Sequence, residues 1–85
     1  MLNFAAMRVV GEIPHPECKI TIFHWNNRYL LKLESGLLEQ TFKIEEYDLT
    51  SDEDLTKIVN ERFIKKAMDR FHEMAISLGE EMNTL

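Results

Sequence analysis

The chain has 85 residues, of which 45% are hydrophobic and 29% charged, with a formal net charge of −5. That is the make-up of an ordinary globular chain, and a chain of this size buries roughly 60–65% of its unfolded surface, enough for one modest core but not for a deep enclosed pocket. The acidic balance argues against broad nonspecific nucleic-acid binding, which depends on neutralising phosphates. No stretch approaches the ~20 apolar residues of a transmembrane helix, so no membrane role is expected. Cys18 is the only cysteine, so no internal disulfide forms and a reducing cytoplasmic setting is the simplest reading.

Taken in order, Met1 to Ala6 carry no pattern, and Met7 is an alternative start, the six residues before it then coming from an upstream initiation codon. Residues 1–10 read either as disordered or as part of an edge strand over Met7 to Ile13. Gly11 weakens that strand, and Pro14 and Pro16 end its ladder by removing donors.

Residues 17–45 read as an antiparallel meander. Lys19 to Trp25 alternates with period two and is rich in β-branched and aromatic residues. Asn26-Asn27 follows, and Asn tolerates the positive φ of a two-residue hairpin turn. Folding there pairs Trp25 with Arg28, Phe23 with Leu30 and Lys19 with Glu34 on one face. On the other it pairs His24 with Tyr29, Ile22 with Leu31 and Ile20 with Leu33. A second turn at Ser35-Gly36 sets Leu33 against Leu38, Lys32 against Glu39 and Tyr29 against Phe42. One face therefore stays apolar across all three strands, with Gln40 its single polar member.

Residues 51–79 read as a helical layer. Thr50 or Ser51 can cap its start, with Glu53 in the capping-box position for Thr50. Apolar residues then recur at helical spacing through Leu55, Ile58, Val59, Phe63, Ala67, Phe71, Met74, Ala75 and Leu78. Asn60 predicts a break and the cap of a second helix, and Gly79 a stop. The whole is one α+β domain, a three- to four-stranded antiparallel meander covered on one face by a short and a long C-terminal helix.

No arrangement of residues marks a catalytic, cofactor or metal site. His15, Glu17, Cys18 and His24 are the densest group of candidate ligands, but Cys18 and His24 stand six strand residues apart, about 20 Å, too far to share one metal or a proton. Cys18 reads as a small buried hydrophobe, His24 as a ring beside Tyr29, and the chain as no enzyme. The outer sheet face is more informative. It should present Lys19, Thr21, Phe23 and Trp25, then Arg28, Leu30 and Lys32, then Leu37, Glu39, Thr41 and Lys43. Phe23, Trp25 and Leu30 are too apolar for a face left to water. The N-terminal segment with Phe4, Met7 and Val9 could cover them. The favoured reading is a protein-binding or assembly module, a homodimer through this face, with Phe23, Trp25, Leu30 and Leu37 as contacts and Arg28 and Lys32 at the rim. The alternative is a single-stranded nucleic-acid binder stacking bases on Phe23 and Trp25. Arg62, Lys65, Lys66 and Arg70 read as a solvated basic band on the long helix.

Gly11 to Pro16 (GEIPHP), the Trp25-Asn26-Asn27 turn and Gly36 to Thr41 (GLLEQT) resemble a group of short bacterial proteins of unknown function. The likeness spans roughly Val10 to Leu78, which suits a start at Met7. It implies no activity, cofactor or site residue, and a bacterial cytoplasmic setting.

Overall fold

The structure is a computed structural model, and it describes residues 7–85. The proposed cover by Phe4 therefore lies outside the described residues. Four strands, β1 (Arg8–Ile13), β2 (Lys19–Trp25), β3 (Arg28–Ser35) and β4 (Leu38–Glu45), form an antiparallel sheet in that spatial order. A 3₁₀ turn (Glu46–Asp48) leads to helices α1 (Glu53–Ile58) and α2 (Glu61–Met82).

The first hairpin has the register that the sequence predicts, from Lys19 opposite Glu34 to Trp25 opposite Arg28. Asn26 and Asn27 both take positive φ (53° and 60°), the requirement of a type I′ turn matched to strand twist. The edge strand forms too, with its register shifting between Val9 and Gly11. Val10 is the extra residue there, and it packs against the core as a bulge allows.

The second hairpin differs from expectation. Its turn is Gly36-Leu37, so Ser35 faces Leu38, Leu33 faces Gln40, Leu31 faces Phe42 and Tyr29 faces Ile44. Gly36 has φ +60° at the first turn position, where a type II′ turn wants glycine. The slip is two residues, so every side chain keeps its face.

The core lies between the sheet and the helices. Ile20, Ile22, Leu31 and Leu33 from the sheet meet Leu55, Val59, Ile64, Ala67 and Phe71. Ile64 is absent from the predicted stripe because that stripe ran in one phase through Asn60. The chain breaks there instead: the Asn60 side chain accepts from the Phe63 N–H at 3.0 Å, caps α2 and resets the helix phase. Phe63 moves to the flank, tilted against Phe42 at 5.2 Å. Gln40 is satisfied on the buried face, donating to the Ala67 carbonyl at 2.8 Å and accepting from Arg70 Nε at 2.9 Å.

Two helix ends differ from the sequence reading. Glu53 forms no capping box; the Thr50 N–H and hydroxyl both donate to Asp54 Oδ2, at 2.9 and 2.8 Å, which holds the Asp54 carboxyl below its usual range. Gly79 does not stop α2, which runs on to Met82. No helix among the described residues is long and apolar enough to cross a membrane.

Candidate functional site

Two regions hold the candidate residues. The first is the β1–β2 corner, where Pro14, His15, Glu17 and Cys18 line an open cleft of about 500 Å³ together with Glu34 and Ser35. His15 is tied down on both sides: Nδ1 accepts from the Glu17 N–H at 3.1 Å, and Nε2 faces Glu61 Oε2 at 3.4 Å. An accepting Nδ1 places the ring proton on Nε2, so the ring links the corner to the start of α2. Cys18 is buried in the core cluster, and burial, with the Glu17 charge second, pushes its thiol above the ordinary value. A thiol shifted that way is a poor nucleophile. Among the described residues no three His, Cys, Asp or Glu side chains gather to hold a metal.

His24 stands at the other end of the sheet, edge-on to Tyr29 with centroids 5.1 Å apart, as the strand parity predicts. Its Nε2 faces Glu46 Oε1 at 3.2 Å. The Tyr29 hydroxyl donates to Asp52 Oδ1, which ties β3 to the start of α1. That hydrogen bond, then burial, raises the Tyr29 pKa. Because the folded pKa lies above the unfolded value near 10, the contribution is whole below pH ~10 and is lost as pH rises through the folded pKa. Lys32, also raised, acts with the same sign. Urea unfolding from pH 8 to 11.5 should therefore show a steeper alkaline loss in the wild type than in Tyr29→Phe. At pH 7 that variant should be about 1 kcal/mol less stable, and parallel pH curves for the two proteins would refute the assignment.

The second region is the outer sheet face. Phe23 and Leu30 are cross-strand partners, with Val9 beyond Phe23 and Lys43 beyond Leu30. Trp25 and Arg28 form the next row. Leu30 is already buried, at 7% exposure, while Phe23 and Trp25 are half-buried and Val9 is 60% exposed. A central-strand residue is covered by neighbours on both sides, which the sequence alone does not show. Leu37 is not on this face: it tips the β3–β4 turn, fully exposed, because the turn lies one residue later than predicted.

The expected rim cations are held within the chain. Arg28 Nε meets Glu45 Oε1 at 2.9 Å. Lys32 lies 2.8 Å from Glu34 and 3.3 Å from Glu39, offsetting two carboxylates that face each other across β3 and β4. The Lys32 hydrogen bond lowers the Glu34 pKa. The sequence sets Lys32 against Glu39, and that pair forms although the register differs; the Arg28–Glu45 pair comes only with the observed register. On the helix, Arg70 is not merely solvated: besides Gln40 it lies over the Phe42 ring at 5.9 Å.

The chain matches no family model, and no curated protein or solved structure matches it either.

Proposed function

We propose that this protein is an assembly module that acts by pairing with a second copy of itself. What supports this reading is the contrast between its polar and apolar surfaces. His15, His24, Arg28 and Lys32 already have partners within the chain, whereas Val9, Leu78 and Met82 stay exposed beside other apolar side chains. Apolar surface left open in this way marks contact sites.

The outer sheet face, with Phe23, Trp25 and Leu30, is one candidate for that contact, with Arg28 and Lys32 at its rim. Its claim is weakened by how much of it neighbouring side chains already cover. The nucleic-acid alternative has less behind it, since phosphate binding would have to break the Arg28–Glu45 and Lys32–Glu34 pairs on a chain of net charge −5. A reducing cytoplasm is the setting we assign, on the strength of the single buried thiol of Cys18.

The test is the solution mass by light scattering and sedimentation. A wild-type dimer is the expected result, and a monomer at every concentration would end the reading. Fluorescence anisotropy with single-stranded oligonucleotides at low salt should show no binding. Binding lost in an Arg28→Ala/Lys32→Ala variant would restore the alternative.

A further inference from the structure

We infer that the C-terminal half of α2 is the pairing element, and that two copies of this chain meet there antiparallel. This inference rests on the self-pairing reading above and names its surface.

The direction of α2 is fixed by its contacts. Phe63 meets Phe42, and further along Ala67 and Arg70 meet Gln40. The helix thus advances toward the β3–β4 turn. Phe71 is its last buried residue. Residues 72–82 continue for about 16 Å past that anchor.

The buried stripe does not end where the burial does. Ile64, Ala67 and Phe71 are buried at spacings of three and four. The same spacing continues through Ala75, Leu78 and Met82, now exposed, Leu78 at 53% and Met82 at 57%. A helix that kept this half for water would be polar on this line.

Charge identifies the occupant. The first half of α2 carries Arg62, Lys65, Lys66 and Arg70 against Glu61 and Asp69. Residues 72–85 carry Glu73, Glu80 and Glu81 and no Lys or Arg. Acids in the last turn oppose the helix macrodipole, so nothing local explains them. An antiparallel second copy opposes the two dipoles and brings the acidic end of each helix to Arg70, the last basic residue of the other. With the two-fold axis near Ile76 and Ser77, Ala75 faces Leu78 of the second copy, and Glu81 lies beside its Arg70.

Gly79 fits the same arrangement. In a helix interior it costs about 1 kcal/mol relative to Ala, yet a Cβ there would meet nothing in the single chain. One turn after Ala75, it leaves a low edge where a second helix can approach.

The helix pair is smaller than the standard ~800 Å² per partner, so a micromolar Kd is expected. Sedimentation from about 1 to 200 µM spans that range. The proteins to compare are wild type, Leu78→Glu/Met82→Glu, Gly79→Leu and Trp25→Asp, each first shown to be folded by circular dichroism. We expect a wild-type dimer, with Trp25→Asp unchanged. Leu78→Glu/Met82→Glu should weaken the dimer at least tenfold. Gly79→Leu should weaken it while retaining or gaining helix content. If Trp25→Asp splits the dimer, alone or together with the α2 variants, or if the α2 variants dimerise like wild type, the inference fails and the self-pairing reading stands. A wild-type monomer throughout overturns both.

Discussion

Replacing Leu31 by alanine is expected to cost about 3–5 kcal/mol, the upper part of the range for a buried leucine. Leu31 has no exposed surface. It sits on an interior strand between Ile22 and Phe42, with the helical layer above it, so neighbours on three sides are held by backbone ladders and cannot close the cavity cheaply. A chain of this length has a total stability of about 4–13 kcal/mol at 0.05–0.15 kcal/mol per residue, so this one change removes a large fraction of it. Equilibrium unfolding in urea should show the midpoint falling by about 2–3 M with an unchanged slope. The control is the same residue type in open solvent: Leu37→Ala at the turn should move stability by no more than about 0.5 kcal/mol. Equal effects at the two sites would mean that the sheet does not bury the face assigned to it.

That face was legible in the sequence, for reasons that also explain what was missed. Strand side chains have period two, so the β2–β3 pairing followed from Asn26-Asn27 and the alternation around it. The β3–β4 register was missed by two residues because an even slip leaves each residue on its own side. Both turn placements also keep Gly36 in the loop, so hydrophobic pattern cannot separate them. Ile64 was missed because a single helical phase was carried through Asn60, although Asn60 was itself recognised as a cap. The Arg28–Glu45 pair depends on the true register, which sets Glu45 opposite Arg28, whereas Lys32 against Glu39 was already in the expected pairing. Together these pairs decide against a free basic rim. The exposed half of α2 was hidden for another reason: its stripe is indistinguishable in sequence from the buried half. Only the length of the sheet and the direction in which the helix crosses it show where cover ends.

Phe71 stands at that boundary, and Phe71→Ala should cost about 3–5 kcal/mol while redistributing stability within α2. The side chain is 3% exposed and is the last fully buried contact holding the helix to the sheet; Met74 beyond it is only partly buried against the core. Upstream, Asn60 capping, Ile64 and Ala67 keep the first half of the helix in place. Downstream, residues 72–82 are too few to be helical alone, since isolated helices shorter than about 12–15 residues are marginal in water. Hydrogen exchange should therefore show amides from about residue 75 onward losing protection well before those of residues 64–70, a local opening distinct from global unfolding. The pairing of two copies proposed for this half would then weaken as well, because binding must first pay the entropy of ordering the segment. If Phe71→Ala instead lowers protection evenly along α2, the helix is one cooperative unit with the sheet, and its C-terminal half is held by something other than Phe71.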